Sequence, residues 1–360
     1  METSAFVKWV AKYLPGVTIR IIKTLNDTSN PLPYLFKTLL KPQFSVDGKW
    51  EALIQENVLV SADYVAMDSS APLKKRDSMG KASGEIPKMA MELWLNEKQL
   101  TDLDSLIAQN GSDAQIVAEL FKDTKKTLGG AYELNEATFL EALSTGQAIV
   151  SDADNVGTGI RMDYGYLSEN KFGVAKLLTD STYKYWDDVQ KIVDKATLDG
   201  NAIQVAYTDG PTINLIAALD QTKQLYAFGQ NFVGNNIPAP DIDQLNAFTK
   251  KRYGFVFAPV NRSIRKEKNG KRQTKKPWKA GSIVYTSAGQ VGSLVYAKLA
   301  EQNHPVAGVT YELVDGYILI SKYRKNEPAV SEYTKMQARV VPVISNVDEI
   351  YLQDTTTIQA

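Results

Sequence analysis

The most regular alternation of apolar and polar positions lies at 88–95, where Met89, Met91, Leu93 and Leu95 interleave with Lys88, Ala90, Glu92 and Trp94. Period-two alternation predicts a half-buried strand. It reads as the return limb of a long hairpin, with 58–67 going out and 86–95 coming back. Residues 71–85 between the limbs are charged and rich in Gly and Ser, with nothing to bury. A connection so far beyond the usual two to five residues of a hairpin loop is either functional or disordered.

After 95 the period lengthens. Residues 97–109 read as a short helix broken by Asn110-Gly111. Ser112 with Gln115 three residues on is a capping-box pattern. From there Ile116, Val117, Leu120, Phe121, Leu128, Tyr132, Phe139 and Leu143 keep helical spacing to Gly146, which suits the left-handed position after a helix end. Gly129-Gly130 interrupts this long segment. Each glycine costs about 1 kcal/mol against alanine, so a kink or break is expected there. An arm followed by a long beam suits a subunit that reaches over its neighbours.

The other elements are shorter. Residues 1–44 read as an arm: a helix ending at Pro15-Gly16, a β-branched strand at 17–22, a loop at 26–33, then apolar anchors at Tyr34, Leu35, Phe36, Leu39 and Leu40. A strand is expected at 147–150, followed by a turn-rich loop at 152–159. Helices at 186–193, 211–228 and 241–250 alternate with strands at 202–207 and 253–259, suggesting a compact α/β lobe inserted between parts of another domain. Strands at 282–286, 339–344 and 349–352 follow, and Asp315-Gly316 marks a two-residue hairpin turn.

Composition narrows the chemistry. The 360 residues carry 41 basic and 41 acidic side chains and no cysteine, and 44% are hydrophobic. That is a globular chain with no disulfide, thiolate ligand or cysteine nucleophile. No stretch approaches the ~18 apolar residues of a membrane span, and the first residues do not read as a secretory signal. The single histidine, His304, precedes a proline and gives no basis for a metal or catalytic site. The Gly-Thr-Gly at 157–159 lacks the rest of a dinucleotide fingerprint.

One strong charge run stands out. Between 262 and 279, Arg262, Arg265, Lys266, Lys268, Lys271, Arg272, Lys275, Lys276 and Lys279 face a single acid, Glu267, for a net +8. So polar a run is expected to be a loop. It could meet nucleic-acid phosphates or an acidic partner surface.

Several stretches together resemble the major coat proteins of tailed bacteriophages, in particular the lambda-type family called major capsid protein E. They are Val60-Ser61-Ala62-Asp63-Tyr64-Val65, Ala71-Pro72-Leu73 and Ile86-Pro87-Lys88-Met89. To these add Phe139-Leu140-Glu141-Ala142-Leu143-Ser144-Thr145-Gly146 and Val341-Pro342-Val343-Ile344-Ser345-Asn346-Val347-Asp348-Glu349-Ile350-Tyr351. The resemblance implies an α+β chain with the coat fold named after phage Hong Kong 97. Residues 1–44 would be the N-terminal arm and 45–95 the E-loop. Residues 96–180 with 305–360 would form the peripheral domain and its spine helix, and 181–304 the axial domain. Pro72, Leu73, Lys74, Lys75, Arg76, Lys81 and Gly84 would then reach across subunits. One relative of this fold cross-links Lys to Asn; Lys81 lies on the loop, but no acceptor is identified, so that chemistry is not carried over.

The resemblance further implies a protein that is not an enzyme and needs no cofactor. It would assemble as hexamers and pentamers into an icosahedral shell around double-stranded DNA, without sequence-specific binding or membrane contact. Portal and scaffold proteins, and in some members decoration proteins, would be its partners. Its place would be the virion, and the host cytoplasm during assembly. Two other readings stand beside it: a shell of the same fold around protein cargo, and an α/β enzyme whose basic loop binds a phosphorylated substrate. In the coat reading the basic run would gather around symmetry axes as a ring of about +40 to +48, self-repelling near the ~8 Å screening length. A loop splayed into solvent is expected there in preference to one facing DNA.

Overall fold

A computed structural model of the chain describes residues 1–29, 32–54, 80–150, 160–229, 237–268, 271–287 and 289–359. The outgoing limb expected at 58–67, the loop residues Pro72, Leu73, Lys74, Lys75 and Arg76, and the turn-rich stretch 152–159 lie outside the described residues. The chain divides into two compact units.

The first unit comprises Met1–Trp50, Ser83–Thr138 and Ser293–Val343. Its frame is a six-stranded sheet. The order is Leu40–Phe44, Gly292–Ala297, Ser331–Ile344, Ile318–Lys325 and Thr310–Val314, with Lys88–Leu95 also paired to Ser331–Ile344. The strand Lys88–Leu95 has the expected alternation: Met89, Met91, Leu93 and Leu95 are half-buried and their neighbours exposed. Its described partner is antiparallel, with Trp94 opposite Tyr333 and Met91 opposite Met336.

Of the long hairpin the structure describes the base, where Lys49–Ile54 pairs with Gly80–Glu85. The stretch read as loop at 80–85 is therefore strand, and it contains Lys81 and Gly84. Gly84 lies against the buried Trp50, and a Cβ there would sit 2.8 Å from the indole Nε1. That glycine serves a close approach, not a flexible tip.

The arm differs from expectation. One helix runs from Val7 to Leu25 straight through Pro15, and 17–22 is part of it. An internal proline costs about 3 kcal/mol. The helix survives because Val10, Leu14 and Thr18 recur every fourth residue and are all buried. Pairing of 17–22 as a strand would break that stripe. The anchors behave as expected: Tyr34, Phe36, Leu39 and Leu40 are buried. The Glu136 carboxylate accepts the backbone N–H groups of Leu35 and Phe36, both at 3.0 Å. The turn at Asp315-Gly316 is also present, with φ of 54° and 81°. It spans three residues, since Val314 pairs with Ile318.

The long helical segment breaks elsewhere than expected. Asp113–Leu120 and Lys122–Thr145 are separate helices, divided at Phe121 (φ −106°, ψ 9°). Gly129 and Gly130 remain helical, and the chain passes from one unit to the other farther along this helix. Flanking Leu128, Ala131 and Tyr132 are fully buried, so packing outweighs propensity. A Cβ at Gly130 would come within 2.8 Å of Met91 Sδ, which shows how closely helix and strand approach.

The second unit comprises Glu51–Ala82, Phe139–Gly292 and Ile344–Ala360. Its five-stranded sheet runs Lys171–Val174, Ile350–Ile358, Ser282–Thr286, Val205–Thr208, Val256–Pro259. Val205–Thr208 and Val256–Pro259 are parallel, so the chain must cross over between them. The helices Gly210–Ala218, Asp220–Gly229 and Ile242–Tyr253 make that crossover, and Tyr185–Leu198 precedes it. This is the expected alternating lobe. Its sheet also takes in Ile350–Ile358 and Lys171–Val174, so 139–180 and 344–360 cluster with the lobe. Its core centres on Trp186, Tyr185, Phe255, Phe257 and Tyr285.

Candidate functional site

The basic run is a β-ribbon and not a loop. Ile264–Lys268 pairs antiparallel with Lys271–Lys275, placing Ile264 opposite Lys275 and Glu267 opposite Arg272. Two strands without a core are marginal on their own, so the base must be held. Ile264, opposite Lys275 at the base, is buried. Where the chain leaves the same end, Trp278 is buried and its Nε1–H donates to the Ser282 carbonyl at 3.1 Å. The Lys279 N–H donates to Ser144 Oγ at 3.1 Å, and Ser282 Oγ–H donates to the Ser144 carbonyl at 2.7 Å. Polarity therefore did not prevent strand pairing, because the backbone supplies the bonds and two apolar residues fix the base.

The nine basic residues divide by their partners. Arg272 Nε lies 3.0 Å from Glu267 across the ribbon. Lys275 Nζ lies 2.9 Å from Glu141, and Lys279 Nζ lies 2.8 Å from Asp354. Burial raises the Asp354 pKa, but hydrogen bonds from Lys279, Thr356 and Thr357 outweigh it and hold the value down at about 2. Asp354 is thus charged at any ordinary pH and keeps Lys279 engaged. Arg262 and Lys266 are half-buried and have partners of their own. Arg265, Lys271 and Lys276 are exposed and form no ion pair among the described residues. The backbone of Lys268 pairs with Lys271 at the ribbon tip.

Sequence reading found the cations but missed Glu141, Ser144 and Asp354, which anchor them. They lie 75 to 135 positions away in the chain, so no local pattern could reveal them. Of the loop group, Lys81 and Gly84 fall in one strand, and the others are outside the described residues.

The first unit also holds a cleft of about 350 Å³, lined in part by Leu95, Gln99, Asp102 and Leu103. Four of its charges are paired, Glu119 with Lys122 at 3.6 Å and Asp123 with Lys126 at 3.3 Å. Among the described residues no group of three or more His, Cys, Asp or Glu could hold a metal ion. No described helix is long and apolar enough to cross a membrane.

No protein-family model matches the chain, and neither does any curated protein. Solved structures do match. A protein assigned as the capsid protein of a prophage in Escherichia coli CFT073 superposes with a TM-score of 0.57 at 13% identity, covering 94% of this chain and 98% of that one. A phage-related protein from Bordetella bronchiseptica RB50 superposes with a TM-score of 0.52 at 12% identity, covering 96% and 98%. Identities this low speak to fold alone, and the coverage extends over both units. The chain has the phage-capsid fold.

Proposed function

We propose that this chain is a major capsid protein of the lambda-type, Hong Kong 97-fold class. It assembles as hexamers and pentamers into an icosahedral shell around double-stranded phage DNA. The observation that carries this reading is the end-to-end match to a prophage capsid protein, 94% of one chain on 98% of the other. A formal net charge of zero fits, since many copies can approach without long-range repulsion. Small contacts repeated by symmetry then add up to a closed shell.

In this reading residues 1–44 are the arm and 45–95 the E-loop. Residues 96–180 with 305–360 are the peripheral domain, and 181–304 the axial domain. The role is structural and not enzymatic. The partners are other copies of the chain, portal and scaffold proteins and a decoration protein, in the virion and in the host cytoplasm during assembly. Size-exclusion chromatography with light scattering tests it. Megadalton particles that enclose DNA when produced during infection are expected, and a stable monomer or small oligomer overturns the shell. Particles filled with protein and free of DNA would mark a cargo shell instead.

The E-loop assignment has its own test. Gly84 packs on Trp50, so a deletion meant to spare the fold stops before the strand Gly80–Glu85. Residues 72–79 are mostly polar, and removing them is expected to leave the thermal unfolding midpoint of the subunit close to that of wild type. Closed shells should no longer form. Normal particles from this deletion, seen by negative-stain microscopy, would remove the inter-subunit role from Pro72, Leu73, Lys74, Lys75 and Arg76.

A further inference from the structure

We infer that the ribbon Ile264–Lys268/Lys271–Lys275 is a binding surface for the phosphodiester backbone of double-stranded DNA. The inference deepens the capsid reading by naming the surface that meets nucleic acid, and it is tested apart from shell formation.

The preference for a solvent-facing segment took the basic run to be a disordered loop. The structure has instead a paired ribbon whose register holds the cations in place. Every residue of Lys271–Lys275 is exposed, as are Arg265 and Lys276. Three acids meet basic residues of the run: Glu267, Glu141 and Asp354 take Arg272, Lys275 and Lys279 at 3.0, 2.9 and 2.8 Å. Arg265, Lys271 and Lys276 remain, exposed and with no ion pair among the described residues. By the alternation of the ribbon Arg265 and Lys271 fall on opposite faces, with Lys271 at the tip and Lys276 past the base, so the cations are spread along the ribbon. A line of like charges gains most from a polyanion, whose bound counterions are released when cations replace them.

Composition separates DNA from an acidic protein. Protein interfaces have an apolar centre, are enriched in aromatic residues and Met, and are depleted in Lys. The ribbon is the reverse. Its apolar residue is Ile264, and that side chain is buried, as is Trp278 beyond the ribbon's end. Lys266, Lys268, Lys271 and Lys275 make up much of the remainder. Nothing on it can stack on a base or form an apolar contact, so it can meet phosphates without reading sequence.

The test uses the full chain, on subunits separated from any particles by size exclusion. The probes are a mixed-sequence DNA duplex of about 30 base pairs and, for comparison, poly-glutamate. Three phosphates neutralised by Arg265, Lys271 and Lys276 give a slope of log affinity on log salt of about −2.7, so binding should weaken roughly 40-fold from about 50 to 200 mM salt. The Arg265→Ser/Lys271→Ser/Lys276→Ser variant should flatten that slope by about 2.7. Lys271→Arg with Lys276→Arg should keep it, which excludes loss of fold as the cause. Equal binding by wild type and the serine variant overturns the inference, as does tighter binding of poly-glutamate than of DNA. A chain that binds DNA through the ribbon but never forms particles keeps the inference and loses the shell. Particles built from subunits whose DNA binding ignores the serine changes keep the shell and lose the inference.

Discussion

Trp186→Ala is expected to destabilise the second unit by about 3–5 kcal/mol, the usual cost of emptying a large buried aromatic site. Trp186 is 1% exposed, in the first turn of the helix Tyr185–Leu198. Its ring meets Tyr185, Phe248 and Tyr253 with centroids 5.2 Å away in each case, and it stacks on Tyr253 at an interplanar angle of 11°. The indole Nε1–H donates to Thr222 Oγ1 at 2.9 Å, and Thr222 is itself buried. Alanine would therefore leave both a cavity and a buried hydroxyl without its donor. Trp186→Phe separates the two effects: it keeps most of the packing and loses the hydrogen bond, at about 1–3 kcal/mol. Urea unfolding of the subunit reads both. A midpoint for Trp186→Ala indistinguishable from wild type would show that the aromatic cluster does not hold this unit together.

The elements legible in the sequence are those whose cause is local. Ser112 announces a helix start because a cap bonds residues three apart, and its capping box is present. Gly146 ends its helix at φ 77°, the left-handed position that glycine fills without strain. The strand Lys88–Leu95 showed its buried side in its own alternation. The misread elements have causes far away in the chain. Pro15 looked like a helix end, yet the stripe of Val10, Leu14 and Thr18 had a sheet to lie against. Gly129-Gly130 looked like a break, yet Leu128 and Tyr132 are fully buried beside it. The helix parts instead at Phe121, where no glycine or proline marks the place. The basic run looked unable to pack, and its ribbon form depends on Ser144 and Ser282, which are remote or lie beyond the run. The candidate surface was therefore legible as a list of cations. Which of them are engaged, and which face outward, was not.

Between pH 8 and 10 the wild-type subunit is expected to gain stability relative to a Lys322→Met variant. Lys322 lies on the strand Ile318–Lys325 and is 0% exposed. Its Nζ donates to the Leu120 carbonyl at 3.0 Å and Thr334 Oγ1 at 2.9 Å, and sits 4.9 Å from the centre of the Phe121 ring. Burial lowers its pKa to about 8, although the nearby carboxyl groups of Glu332 and Asp123 pull the other way. Below pH 8 both folded and unfolded chains hold this proton, and the fold bears the cost of a buried charge. As pH rises from about 8 toward the unfolded value near 10.4, the unfolded chain binds more protons than the folded one, so stability increases with pH. The full difference corresponds to roughly 3 kcal/mol, of which most is gained by pH 10. The tyrosines act in the opposite sense and at higher pH. Burial and a hydrogen bond to Glu92 push the Tyr323 pKa up, and burial likewise raises Tyr285 and Tyr351, so wild type and variant both lose stability as pH nears the unfolded tyrosine value of about 10. Methionine keeps the length of the stem and carries no proton, so the difference between wild type and variant in urea unfolding should grow from pH 8 to 10. Glu332→Gln removes the first-named opposing charge, so Lys322 should titrate lower and the rise should begin below pH 8. Equal pH slopes in wild type and Lys322→Met would mean that Lys322 keeps its proton in the fold as long as it does in the unfolded chain, and that burial does not depress its pKa.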